Sequence, residues 1–313
     1  MLRLLSCNIL FLILLLSFTS EPARAQCFSA ANPVGGSSNL LVLDKNTLRA
    51  ISYYRHAFSN RYFEGSSRSE FDLVKKADYN YIGIILAFGL SQKLTIETEW
   101  GYYLNKTYDF GQDQLTGSGF NNIVLSGKFR ILTDYANRFY ISGSLGAKIP
   151  LSLNPEAENG IILDVDLQPS TNALGGIAQL FLVKENSLAG MRYFLISRYE
   201  YNASNRNDYR LGHAFITSLF ISKHIPDHWI PGDWTAIVQV RNETRTKNIR
   251  QGIAEESTGG TVFFLSPQVN YSILEKWDLS LVFDIPVYQY FNGTQLAYNY
   301  AFTVNLSHDF QLF

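Results

Sequence analysis

Eight polar side chains at alternating positions are where this chain could do chemistry. Glu97 and Glu99 stand two residues apart, as do Lys128 and Arg130; Lys148, Gln239, Arg241 and Asp284 complete the set. Residues two apart on an extended strand share one face. Acids and bases repeated on that face can pair and fill an interior, or line a polar conduit that sorts solutes by charge. The opposite faces are apolar. Leu94, Ile96, Trp100, Tyr102 and Leu104 back Glu97 and Glu99, and Ile123, Leu125, Phe129 and Ile131 back Lys128 and Arg130. Phe139, Ile141, Leu145 and Ile149 back Lys148, while Leu279, Leu281, Phe283 and Ile285 back Asp284. A charge facing hydrocarbon at mid-membrane costs up to about 2–4 kcal/mol, so the charged faces should turn inward if the strands meet lipid.

Other constellations are weaker. Ser307-His308-Asp309 resembles a triad only in line, because consecutive strand residues point to opposite faces. His213 and Ser218, at an odd offset, separate in the same way, and no enzyme is expected. His224 and His228, with Asp227 and Asp233 nearby, have a metal-ligand spacing. Pro226 and Pro231 oppose the helix that this spacing needs, so a structural turn is expected and no metal or cofactor. Gly117-Ser118-Gly119 and Asn292-Gly293 read as turns.

The elements that would carry these faces are strands. Period-two alternation places them near 47–58, 79–90, 92–104, 120–132, 137–149, 172–185, 188–202, 211–223, 233–243, 261–273, 276–286 and 298–312. The gaps between them alternate long and short, with 59–78, 105–119, 150–171, 203–210, 244–260 and 287–297 as the long set. A soluble sandwich has no reason to gather its long loops at one end, whereas an outer-membrane barrel has short periplasmic turns and long outer loops. The fold expected is therefore all-β: a closed antiparallel up-and-down transmembrane barrel of about twelve strands. Trp229, Trp234 and Trp277 lie beside short turns, and Tyr102, Tyr288 and Tyr290 flank long loops, as interface girdles would. The last strand is out of phase: Phe313 has the parity opposite to Tyr300, Phe302 and Val304, so either a bulge near His308 resets it or Phe313 packs inward.

Residues 1–25 read as a cleavable signal peptide, with an apolar run over Ile9–Phe18 and Ala23-Arg24-Ala25 as the cleavage site. Residues 26–46 form a polar arm that dangles in the periplasm or enters the barrel as a small plug, and 47–313 the barrel. After cleavage only Cys27 remains, so no internal disulfide can form. The full chain has 26 basic and 27 acidic residues, and no concentrated basic face suggests nucleic acid. No stretch of the mature chain reaches helix-spanning length, which excludes a helical membrane protein, and a mean hydropathy of −0.04 suits a barrel, in which every second residue meets lipid.

Several stretches resemble a known group. They are Gly119-Phe120 through Gly127-Lys128-Phe129-Arg130, Lys148-Ile149-Pro150, Leu167-Gln168-Pro169-Ser170-Thr171 with Gly175-Gly176, and Pro286-Val287-Tyr288-Gln289-Tyr290 with Asn292-Gly293-Thr294. Together they are similar to transporter-like outer-membrane barrels of the kind associated with the MetA pathway of phenol degradation. Tyr53-Tyr54 and Arg61-Tyr62-Phe63-Glu64-Gly65 suit a Bacteroidetes-type member. The resemblance implies passage of a small, hydrophobic or aromatic solute and supplies no catalytic residues. The partners expected are outer-membrane lipids, the barrel assembly machinery and that solute. The alternatives are a closed structural or surface-interaction barrel and, third, an outer-membrane lipid hydrolase.

Overall fold

A computed structural model describes residues 31–32, 36–37, 41–158, 160–226, 229, 232–273 and 277–312. Residues 1–30, His228 and Phe313 lie outside the described residues, and with them the signal peptide, Cys27 and the terminal aromatic.

Twelve long strands follow one another: β1 (Thr47–Ser59), β2 (Lys76–Ser91), β3 (Leu94–Asp109), β4 (Ile123–Asp134), β5 (Phe139–Ile149) and β6 (Gly175–Asn186), then β7 (Met191–Asn202), β8 (Ala214–Ile225), β9 (Asp233–Arg245), β10 (Gly260–Ile273), β11 (Trp277–Ala297) and β12 (Tyr300–Gln311). Each pairs antiparallel with its sequence neighbours, and β12 pairs with β1, so the sheet closes into a twelve-stranded barrel. Closure leaves no long edge for another chain to pair with. The side chains obey the period of two. Leu281, Phe283 and Ile285 are exposed on the outer wall, while Ser280, Val282 and Asp284 are buried inside.

The short connections are built by local chemistry. At 135–138 the Asp134 carboxylate accepts from the Asn137 backbone N–H at 2.9 Å and from its side-chain amide at 2.8 Å. At 187–190 the turn ends on Gly190 at φ +58°, a backbone state that glycine enters without penalty. Inside the barrel, glycine makes room for rings: a Cβ on Gly83 would stand 2.1 Å from Cζ of Tyr53 on the neighbouring strand.

Four details differ from the sequence expectation. The segment 287–297 is not a loop; β11 runs on past the end of its pairing with β12 and joins the strand Arg61–Gly65, leaving only 298–299 as connection. Gly117-Ser118-Gly119 is not a turn but part of the strand Gln114–Phe120, which pairs with β3. No bulge occurs at His308, where the register with β1 and β11 is continuous. Bulges lie elsewhere, among them one in β4, where Ile131 is the extra residue and Ile131 and Leu132 are both exposed, and one in β3 at Leu104.

Candidate functional site: the barrel interior

The interior changes character along its axis. Toward the short-turn end, β6–β9 turn Phe181, Val183, Phe194, Ile196, Phe220 and Ile237 inward as one buried apolar cluster. Leu41 and Tyr140 pack against it. The backbone N–H of Leu43 donates to the hydroxyl of fully buried Thr95 at 2.8 Å, so the segment leading into β1 lies within the short-turn mouth. This is the described end of the arm expected over 26–46.

Past that cluster the same strands become charged. Arg241 on β9 grips Asp284 on β11 with both terminal nitrogens, at 3.2 and 3.1 Å. Arg55 on β1 reaches the same carboxylate at 2.7 Å, and the Ser266 hydroxyl donates to it at 2.5 Å. Glu243 stands 2.9 Å from Arg241 Nε, and Phe264 lies under the guanidinium with 4.5 Å to the ring centre. A buried carboxylate held by two guanidiniums keeps its charge because each ion is desolvated against a partner.

On the other wall Lys128 pairs with Glu97 at 2.7 Å and stands over the Phe181 ring at 4.6 Å. Lys148 reaches Glu200 at 3.1 Å and the Asn202 side-chain carbonyl at 3.0 Å. Arg198 on β7 holds Glu200 at 2.8 Å and extends to Glu99 on β3 at 3.5 Å. Strands β4, β5 and β6 lie between β7 and β3 in the wall, so this contact crosses the interior rather than following it. Beside it Tyr53, Tyr79, Tyr81 and Tyr103 form a cluster with ring centres 4.7–5.8 Å apart. Arg55 Nε donates to the Tyr79 oxygen at 3.0 Å.

At the long-loop end, residues 163–169 fold back onto β3 and the strand Gln114–Phe120. Lys106 donates to the Gln168 carbonyl at 2.8 Å, and the Tyr108 hydroxyl to Asp166 at 3.2 Å. The Gln168 amide ties the loop to itself through Glu156 and Leu163. In the neighbouring loop, burial and the adjacent Glu255 carboxylate push the Tyr209 hydroxyl well above the ordinary tyrosine range. It stays a neutral donor, 2.8 Å from Glu255.

Of the eight residues singled out in the sequence, Glu97, Lys128, Gln239, Arg241 and Asp284 are buried on the inward face. Glu99, Lys148 and Arg130 are half-buried with the same parity. Six of them share the ion pairs above. Gln239 instead donates to Ser218 at 3.0 Å, and Arg130 sits apart toward the short-turn end. Sequence reasoning missed Arg55, Arg198, Glu200 and Glu243. Their signal was parity: Glu243 stands two residues from Arg241, Arg198 and Glu200 share a face with Phe194 and Ile196, and Arg55 shares one with Ile51 and Tyr53, apolar neighbours that hid it.

The weaker constellations separate. Asp309 pairs inward with Arg49, Ser307 is buried, and His308 stacks outside on Trp277 with ring centres 4.3 Å apart. His213 stacks on Tyr201 at 4.9 Å on the outer wall, while Ser218 is fully buried inside. His224 faces Asp233 at 3.3 Å. Among the described residues no three His, Cys, Asp or Glu side chains are gathered as metal ligands would be. Trp229 and Trp277 are exposed near the short-turn end, and Trp234 packs on Tyr271 at 4.5 Å. Tyr288 and Tyr290 are exposed toward the other end, where Tyr102 meets Phe120 edge-on at 5.0 Å.

No protein-family model matches the chain, and no curated protein does. Solved structures do. The fold is similar to that of an outer membrane channel from Pseudomonas putida F1, at a TM-score of 0.67 and 13% identity, over 86% of this chain and 97% of that one. Looser likeness extends to the NanC porin (TM-score 0.46, 11% identity, 83% of this chain and 98% of that one) and to the toluene transporter TbuX of Ralstonia pickettii (0.41, 9%, 96% and 99%). At these identities the likeness to the Pseudomonas channel establishes a shared barrel fold, and the other two add nothing to it.

Proposed function

We propose that this chain is a bacterial outer-membrane β-barrel that passively admits a small solute and is narrowed in this conformation by ion pairs crossing its lumen. The contact that carries the reading is Arg198–Glu99, which spans from β7 to β3 at 3.5 Å. Two long side chains close the space there, and both can swing aside without breaking a ladder hydrogen bond. The apolar outer wall and exposed aromatics at both ends support membrane residence. The short turns then face the periplasm and the long loops the exterior. Export by a signal peptide over 1–25 and insertion by the barrel assembly machinery belong to the same proposal, as does the sequence resemblance to the transporter-like group.

The interior suits a small solute with an apolar part. An inward apolar wall runs from the periplasmic mouth to Arg198, and a tyrosine-lined wall stands opposite it. Glu97, Glu99, Lys128, Arg130 and Lys148 supply the charges that such a solute and its accompanying ions pass. Purified protein in planar bilayers should give small discrete conductance steps, and Glu99→Ala or Arg198→Ala should enlarge them and change ion selectivity. Silence from all three proteins, with folding shown by heat-modifiable gel mobility, would leave the closed structural barrel as the correct reading. That reading has its own support in the number of inward side chains already paired.

A further inference from the structure

An inward cation at the long-loop end holds no carboxylate. Arg55, Lys128, Lys148, Arg198 and Arg241 each grip an acid inside the barrel. Arg245, two residues beyond Glu243 on β9, keeps the inward parity of Arg241 and Glu243. Among the described residues it makes no hydrogen bond and no ion pair, and it is exposed. Its partners across the ladder, Ala214 and Gly260, are too small to cover it. The register through β8 sets Arg198 level with Glu243, so Arg245 stands on the long-loop side of the Arg198–Glu99 contact. The guanidinium nevertheless lies within the mouth. Tyr103 and Lys106 on β3, Glu200 on β7 and Tyr298 between β11 and β12 all bear on it electrostatically. β3 stands opposite β9, with five strands between them either way round the wall. A charge felt from both sides lies near the axis.

The acids around it are committed elsewhere: Glu243 to Arg241, Glu200 to Lys148 and Arg198, and Asp166 to the Tyr108 hydroxyl. An unclaimed guanidinium offers a planar fork of donors that matches a carboxylate. The neighbouring acids repel a second negative charge, which favours a monoanion over a dianion. Lys106 spends one N–H on the Gln168 carbonyl and has others to give, with its ammonium 5.0 Å from the centre of the Tyr103 ring. Tyr103 and Tyr298 are half-buried and offer ring faces on which a flat apolar body can pack. We infer that Arg245 is the anchor of a binding site, in the long-loop mouth, for a small aromatic monocarboxylate. As the class of solute that passes, this rests on the channel function proposed above.

The test titrates the full barrel in detergent micelles with benzoate at neutral pH and low salt, binding being read by ligand-observed NMR against empty micelles. Benzamide has the same shape without the charge, and acetate the charge without the ring. Benzoate should bind about tenfold more tightly than benzamide, the scale of one charge-assisted hydrogen bond. It should bind roughly fivefold more tightly than acetate, through the tyrosine faces, and terephthalate, a dianion, should bind no more tightly than benzoate. Arg245→Gln breaks no contact within the protein, so it should fold, as heat-modifiable mobility will show, and lose the preference for benzoate over benzamide. Arg245→Lys, which keeps the charge but not the fork, should retain part of that preference. No saturable binding of benzoate, equal binding of benzoate and benzamide or of benzoate and acetate, tighter binding of terephthalate, or a preference that survives Arg245→Gln would overturn the site. Because binding is read without a current, conductance with no benzoate binding refutes the site alone, and benzoate binding with no conductance refutes the channel alone.

Discussion

Toward the short-turn end the inward wall of β6–β9 consists of Phe181, Val183, Phe194, Ile196, Phe220 and Ile237, whereas farther along β6, β7 and β9 it presents Gln179, Arg198, Glu200, Gln239, Arg241 and Glu243. The outer faces of those strands do not change: Leu180, Tyr193, Leu219, Val238 and Val240 are exposed throughout. The two halves are therefore held by different physics on a shared ladder. The apolar half is stabilised by area removed from water and tolerates small displacements. The charged half consists of desolvated ions, each of which depends on a partner and is costly to leave alone. On the function proposed, a solute entering the first half would exchange water for hydrocarbon, and in the second half it would have to part ions that already hold one another.

The difference can be broken from either side. Asp284→Ala strips Arg241 and Arg55 of their shared carboxylate and should destabilise the barrel most, by about 3–5 kcal/mol. The readout is the temperature or denaturant midpoint of heat-modifiable mobility, and Asp284→Asn, which keeps the shape but not the charge, should lose nearly as much. Phe194→Ala empties part of the apolar half and should cost about 3 kcal/mol. Because that cavity opens on the lumen, its conductance step should rise as well, which Asp284→Ala tests less cleanly.

Glu99→Ala should cost less stability, because Arg198 retains Glu200 at 2.8 Å. Its signature is a fall in cation preference, measured as a shift in reversal potential across a salt gradient. The smallest effect is expected from Lys247→Ala, whose partner Glu256 lies in an exposed loop: within about 1 kcal/mol, with conductance unchanged. Should Lys247→Ala alter conductance more than Glu99→Ala, control of passage would lie in the loops and not in the charged half.

The strand pattern was legible because each strand follows a local rule. Leu125 and Phe129 against Ser126 and Lys128 settle the faces of β4 with no knowledge of its neighbours, and the observed ends fall within a few residues of those expected. The rule fails where both faces are apolar. Phe194 and Ile196 look fit for lipid, yet they face inward because the register with β8 sets them opposite Phe220 and Ser218. It also fails for β11, whose run from Val287 to Ala297 looks like a loop by composition. Pairing with β10 and with Arg61–Gly65, both distant in sequence, holds it as a strand.

Alternation of side chains and the placing of turn residues are properties of neighbours along the chain, so the amino-acid order alone determined a twelve-stranded barrel, most of its connections and the inward turn of Glu97, Lys128, Arg241 and Asp284. Closure of the wall decided which ions meet. Arg198 finds Glu99 across three intervening strands, Asp284 gathers Arg55 from the far end of the chain, and Leu41 is drawn into the mouth against the apolar cluster. None of these distances is written in spacing, because bringing β12 back to β1 sets them all at once.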